Sequence, residues 1–257
     1  MSKIKLFLVC VIVLAFFVTG CGTTGGGGGE GVKGSAKYYK GDAKDVATSG
    51  YNLWGVMGEN TDGYGKIKDE GITPESSSIK VSPSSLWEYI FIDPTTAALT
   101  TVEGCMVTAI YDGVLSSIES FVTTEAAAAS PEAKLSDWNV DSPAAYKKVT
   151  DILVLIYPLS ETLAEVDLAT AEAMSFLVPN KYGMEIIPLS TSSKLGKKIS
   201  SSILQPPGSE DWPADHPYWI IVIWAEDLEN TGFYFQAIGV VDAKTGELKL
   251  FSWDYSS

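Results

Sequence analysis

Apolar and polar residues alternate most regularly near the C-terminus of the chain. Residues 218–224 are an apolar run rich in β-branched and aromatic side chains, which is typical of a strand covered on both faces. Residues 233–241 then alternate, and residues 247–253 follow after a turn. In that turn, Asp242 is placed to accept backbone N–H bonds and Gly246 to adopt a positive φ. This pattern predicts a three-stranded antiparallel meander over residues 218–253.

A fainter version of the same pattern lies in the first half of the chain. Strands are predicted over residues 86–92, 104–111 and 114–122, with a tight turn between the last two. Alignment of Trp87 with Trp219 superposes two units of strand, loop, strand, turn and strand. The pattern therefore predicts an internal duplication with two similar halves.

Helical spacing of apolar residues precedes the second meander. Ser142 is a predicted helix cap with Pro143 after it, and Pro158 ends the apolar stripe formed by Tyr146, Val149, Leu153 and Ile156. A second helix is predicted from Ser160 to residue 177, and a third over residues 45–57. The predicted fold class is α+β, with antiparallel β-meanders and helices packed on one face of the sheet.

The N-terminus has the pattern of a bacterial lipoprotein leader. Two lysines precede an apolar run over residues 6–18, which is shorter than the ~20 residues that span a bilayer. The sequence Val18-Thr-Gly-Cys21 resembles a lipobox, in which the chain is cut before a lipidated cysteine. The glycine-rich residues after Cys21 predict a flexible tether. An ordinary secreted protein with an incidental Cys21 is the alternative.

These signals divide the chain into four predicted parts. Residues 1–20 form the leader, residues 21–36 the lipidated cysteine and tether, and residues 37–130 and 131–257 two α+β halves. The predicted location is the cell envelope, with a membrane contact through the N-terminal lipid. Gly22, rather than an acidic residue after the cysteine, favours the outer membrane in an organism with two membranes.

Two segments of the second half resemble the PepSY domain. The turn Val240-Val-Asp-Ala-Lys-Thr-Gly-Glu-Leu248 is similar to the last turn of that domain, and Trp138-Asn-Val-Asp-Ser-Pro-Ala-Ala145 is similar to its helix entry. The long insertion over residues 158–217 departs from a compact unit of this kind. The resemblance implies an exported, non-enzymatic module that binds or inhibits another protein, and it carries over no set of functional residues.

Composition argues against several classes of function. Removal of the leader takes away Lys3 and Lys5 but no acidic residue, which moves the formal charge from −14 to −16. All 18 basic residues are lysines, and arginine is the usual bidentate partner of phosphate and guanine. We therefore expect no nucleic-acid partner. Cys105 is the one cysteine left beside Cys21 after processing, so the sequence predicts a buried thiol, no internal disulfide and no thiolate metal site.

The candidates for chemistry along the chain are few. His216 is the only histidine, and a site that used it would pair it with Asp215, although a structural role in its loop is the simpler interpretation. The acidic loop over residues 59–70 lacks the carboxylates that an EF-hand needs, and the acidic cluster over 226–229 is interpreted as a solvated turn. We predict no catalytic residue, no metal site and no cofactor.

Aromatic residues are the remaining candidates for a binding surface, and the four selected are Trp212, Tyr218, Trp253 and Tyr255. The alternative for the dense aromatic group that includes Trp212 and Tyr218 is burial in the core, whereas Trp253 and Tyr255 near the C-terminus are expected to be partly exposed. The first hypothesis is a non-catalytic module that binds or inhibits another envelope protein, at a groove or open sheet edge. The second is an envelope glycan hydrolase with paired carboxylates in an aromatic cleft. The third is a purely structural lipoprotein.

Overall fold

Eight strands form a single antiparallel sheet in the computed structural model, which describes residues 31, 35–60, 86–96, 102–110, 113–123, 135, 138–156, 172–181, 209–226 and 234–256. The strand order is β4-β3-β2-β1-β5-β6-β7-β8. The strands are β1 Asn52–Asn60, β2 Leu86–Ile92, β3 Val102–Ile110, β4 Gly113–Thr123, β5 Glu172–Val178, β6 Tyr218–Glu226, β7 Tyr234–Asp242 and β8 Leu248–Ser256. The described residues also contain helices α1 (Lys40–Val46) and α2 (Ser142–Ile156), and a 3-10 turn over Ser209–Asp211.

The predicted α+β class is wrong, because the described part of the chain is dominated by one sheet and has only two short α-helices. Two segments assigned to helices are strands. Residues 52–57 of the predicted 45–57 helix belong to β1, and residues 172–177 of the predicted 160–177 helix belong to β5. A short apolar run is compatible with a helix or a strand. Here both segments are strands, because each pairs with a neighbouring strand on either side in the middle of the sheet.

The predicted helix at residue 142 and the C-terminal meander are confirmed. Helix α2 spans Ser142–Ile156, and β6, β7 and β8 pair in sequence order. Ser142 does not cap its own helix, however. Its Oγ accepts a hydrogen bond from the backbone N–H of Ala36, and the backbone O of Asp141 accepts those of Ala144 and Ala145.

The strand order repeats itself within the sheet. A helix followed by four antiparallel strands occurs twice, and the two first strands, β1 and β5, pair at the centre. Trp87 of β2 pairs with Ala109, while Trp219 (219 − 87 = 132 positions later) pairs with Val241, which also follows Ala109 by 132 positions. The two tryptophan rings meet edge-to-face with centroids 6.3 Å apart. Both repeats therefore share one sheet, and residues of both contribute to its buried apolar clusters.

Apolar side chains are buried on both faces of the central strands. Both helices contribute to the cluster on the first face, together with the two paired tryptophans and Cys105. The second face carries a smaller cluster from β1 and β5–β7 that includes Trp212. Gly58 is required at the centre, since a Cβ there would lie 2.3 Å from the ring of Trp87. Burial on both faces explains why β5 and β6 are apolar runs rather than alternating strands.

The folded body begins before the predicted end of the tether. Ser35 and Ala36, which the sequence placed in the tether of residues 21–36, are 2% and 0% exposed. The backbone N–H of Lys37 donates to Asp141 Oδ1 at 3.2 Å, and the hydroxyl of Tyr89 donates to the backbone O of Ala36 at 2.6 Å. Residues 35–37 are therefore fastened to both α2 and the sheet.

Replacement of Tyr89 by Phe tests this attachment. The variant leaves the buried carbonyl of Ala36 without its donor, so we expect the free energy of unfolding to fall by about 1–2 kcal/mol, measured by urea denaturation. Tyr38→Phe is the matched control. The Tyr38 ring is half-buried in the same segment, and its hydroxyl makes no hydrogen bond with the described residues. Equal stability of the two variants would contradict the assigned role of Tyr89.

Candidate functional site

The residue predicted to carry the lipid, Cys21, lies outside the described residues. Most of the two acidic segments, residues 61–70 and 227–229, also lies outside the described residues. Among the helices of the described residues, none is long and apolar enough to cross a membrane. Cys105 is a buried free thiol, which confirms its predicted packing role.

The four aromatic residues predicted for binding do not form one surface. Trp212 and Tyr218 are 8% and 0% exposed and pack against each other with ring centroids 5.4 Å apart. They belong to the core of the second face and offer no exposed ring to a ligand. Trp253 is 36% exposed on β8. Tyr255 also belongs to β8, but its side chain is outside the described part of the structure.

A histidine–aspartate pair is the most distinctive polar arrangement in the described structure. His216 Nδ1 lies 2.6 Å from Asp242 Oδ2, and the side chains are 17% and 1% exposed. Asp215, the partner considered from the sequence, is instead 81% exposed and lies 3.6 Å from Lys244 Nζ. Sequence reasoning missed Asp242 as the partner because it is 26 positions away. The one signal in the sequence was Asp242 itself. Its turn hydrogen bonds use a single carboxylate oxygen, Oδ1, and leave Oδ2 available for another partner.

The β7–β8 turn holds Asp242 in place, as its residue types predicted. Oδ1 accepts the backbone N–H groups of Lys244 and Thr245 at 2.8 and 3.0 Å. Gly246 closes the turn with φ +78°, and its N–H donates to the backbone O of Asp242. The loop before β6 is tied to the same turn, because the N–H of Ala243 donates to the backbone O of Pro217. These bonds present Oδ2 to His216.

The electrostatics of the pair follow from burial and hydrogen bonding. Burial alone would raise the pKa of the Asp242 carboxyl, but the hydrogen bonds from His216, Thr245 and Lys244 and the charge of His216 outweigh it, so the pKa is lowered. Beside it, burial and then the negative charges of Asp242, Asp215 and Glu247 raise the pKa of the Tyr218 hydroxyl. That hydroxyl donates to the backbone O of Pro213 at 2.8 Å.

The geometry of the pair orients the imidazole of His216. A carboxylate at Nδ1 fixes the ring and leaves Nε2 as the base or ligand atom. Within the described residues, no serine or cysteine makes a hydrogen bond to His216, and no group of three metal-binding side chains occurs. The arrangement therefore supports a structural role for this histidine.

The second candidate is the edge of the sheet at β8. Among the described residues, β8 has one hydrogen-bonded neighbour, β7, so one row of its backbone N–H and C=O groups has no partner strand. Ser252, Trp253 and Asp254 are exposed along it. Such an edge can accept an extended segment as an added strand.

Comparison with known proteins adds no relative: no family model, no curated protein and no solved structure matches the chain.

Proposed function

We propose that this chain is a lipid-anchored protein of the bacterial cell envelope whose folded body binds another envelope protein without catalysing a reaction. The anchor is Cys21, exposed by removal of the leader at residues 1–20. The glycine-rich residues that follow link the lipid to a body that begins by Ser35. The PepSY-like character of the second half belongs to the same proposal. We expect neither nucleic acid nor a cofactor as a partner.

The observation that carries the binding role is the position of β8 at the end of the strand order of the described residues. This strand is nine residues long, contains no proline and has one hydrogen-bonded neighbour among the described residues. Natural proteins usually protect long edges of this kind with proline, inward-pointing charge or a covering element. The exposed indole of Trp253 adds an apolar surface on the same strand. These features favour recognition of an extended segment of the partner.

As the partner that binds at β8, a different protein is favoured over a second copy of this chain. The processed chain carries a formal charge of −16, so two copies repel one another. The hydrolase hypothesis gains no support from the aromatic residues, because Trp212 and Tyr218 are buried in the core rather than lining a cleft.

The experiment is site-specific photo-crosslinking of the full chain in bacterial cells. A benzophenone amino acid at position 253 is expected to yield one recurrent adduct with an envelope protein. The same group at position 155, where Leu155 is 60% exposed on α2, is the surface control. Ser252→Lys places a charge on the β8 edge and should reduce the adduct about tenfold. Thr245→Lys, at an exposed position in the β7–β8 turn, should not reduce it.

Three outcomes would contradict parts of the proposal. An adduct of twice the chain's mass would mean that the partner is a second copy of this chain and not another envelope protein. Adducts that are equal at positions 155 and 253, or that persist in Ser252→Lys, would remove the edge as the binding surface. If Cys21→Ser leaves the protein in the membrane fraction with the same adduct, the lipid anchor is wrong.

A further inference from the structure

We propose, on the basis of the function proposed above, that the partner segment bound at β8 carries a basic side chain next to alternating apolar ones. Asp254 selects the basic side chain, and the rings of Phe251 and Trp253 select the apolar ones. The two kinds of contact lie on opposite faces of the same strand, and both faces are exposed near its C-terminal end.

The register of β8 places its successive residues on opposite faces of the sheet. The residue of β7 that pairs with Trp253 belongs to the buried cluster on the first face, and Phe251 packs against that cluster as well. Leu250 packs against the cluster on the second face, so Ser252 and Asp254 share that face with it. The strand therefore presents aromatic rings on the side of α2, and a hydroxyl and a carboxylate on the other side.

The exposed part of β8 is its C-terminal end. Ser252, Trp253 and Asp254 are exposed, whereas residues 248–251 are half-buried. Three consecutive exposed positions alternate between the two sides of the sheet, so both faces of the strand are accessible here. A strand added beside β8 contacts Trp253 on one face and Asp254 on the other, because side chains directly opposite each other on neighbouring strands are in contact.

The charges around this end of β8 favour a basic partner residue. No lysine pairs with Asp254 within the described part of the chain. The nearest lysines along the chain are already paired, since Lys249 Nζ lies 2.6 Å from Glu247 Oε2 and Lys244 Nζ lies 3.6 Å from Asp215 Oδ2. Opposite charges that face each other across two strands are stabilising, and like charges are destabilising. The residue opposite Asp254 is therefore a lysine or arginine of the partner.

The direction of the added strand sets the order of its residues. All strand pairs of the described residues are antiparallel, and antiparallel pairs are the more stable kind. A segment that runs antiparallel to β8 meets Asp254 first, then Trp253, Ser252 and Phe251. The recognised pattern is therefore a basic residue followed by an apolar, a polar and an apolar residue.

The test extends the photo-crosslinking at position 253, where the benzophenone side chain keeps an aromatic ring at the site. Tandem mass spectrometry of the adduct is expected to map the captured residues to a basic–apolar–polar–apolar segment. Asp254→Asn, which removes the charge pair, should reduce the adduct about threefold, and Asp254→Lys, which creates a like-charge pair, about tenfold. Replacement of the captured basic residue of the partner by glutamate should restore the adduct in Asp254→Lys.

Asp45→Lys is the matched control, because it changes the net charge equally at an exposed position of α1, which packs on β3 and β4. The adduct should be unchanged in it. An adduct as strong in Asp254→Lys as in the wild type, or a captured segment without a basic residue, would overturn the proposed pattern and leave β8 as a binding edge. Absence of any adduct at position 253 in the wild type would instead refute the binding role of β8, and the pattern with it.

Discussion

Replacement of Gly239 by alanine is expected to lower the free energy of unfolding by about 3 kcal/mol, since extra atoms in a packed core force neighbouring groups to move. Gly239 lies in β7 directly beneath α2. A Cβ at this position would lie 2.2 Å from Val149 Cγ2, which is closer than carbon atoms can approach, and 3.1 Å from Val149 Cβ. Urea unfolding followed by tryptophan fluorescence measures the change.

The clash is assigned to Val149, so a double-mutant cycle tests its origin. Val149→Ala alone leaves a cavity and costs about 2 kcal/mol, but in the Gly239→Ala background it should restore part of the lost stability. Gly41→Ala is the matched control, because no atom lies within 4 Å of a Cβ there. The close packing of α2 on β7 would be refuted by a Gly239→Ala variant as stable as Gly41→Ala.

Removal of the carboxylate in Asp242→Ala is expected to cost about 3–5 kcal/mol of stability near neutral pH. The substitution leaves two backbone N–H groups of the turn and the imidazole of His216 without their acceptor. Asp242→Asn keeps one acceptor for the turn, so it should cost less, about 2 kcal/mol. Equal losses in both variants would mean that the turn bonds contribute nothing.

The stability conferred by Asp242 also depends on pH, and the sign follows from its lowered pKa. A carboxyl that is more acidic in the folded than in the unfolded chain stabilises the fold above its unfolded pKa, about 4. That contribution is lost as the pH falls through the folded value. The gap between wild type and Asp242→Asn should therefore be complete at pH 6 and should narrow below pH 4. A gap that stays constant down to pH 2 would contradict the lowered pKa.

Local patterns in the sequence were sufficient for the C-terminal meander and for α2. The alternation in β7, the turn residues Asp242 and Gly246, and the apolar stripe of α2 each act over a few residues, so their signals survive in the sequence alone. The alignment of Trp87 with Trp219 marked positions that do occupy the same place in the two repeats. Even the buried thiol of Cys105 follows from its apolar surroundings in the chain.

Strands β1 and β5 show where local patterns fail. Their apolar residues fit helical spacing as well as a strand, and only the partners on both sides decide between the two. The pairing of these two segments joins the two meanders into one sheet. Because both segments are strands and not the predicted helices, the fold is dominated by the sheet and is not α+β. The class was therefore decided at the centre of the sheet, where both neighbours are distant in sequence.

By itself, then, the sequence determined the C-terminal strands with their turn, the position of α2 and the strongly acidic charge. The leader pattern that ends at Cys21 stays a prediction. Tertiary structure alone decided that His216 meets Asp242, that Trp212 and Tyr218 are core rather than surface, and that β8 is left at an edge. The physical reason is that turns and amphipathic periods arise from neighbouring residues. Burial, ion pairing and edge exposure depend instead on groups that the chain brings together from far apart.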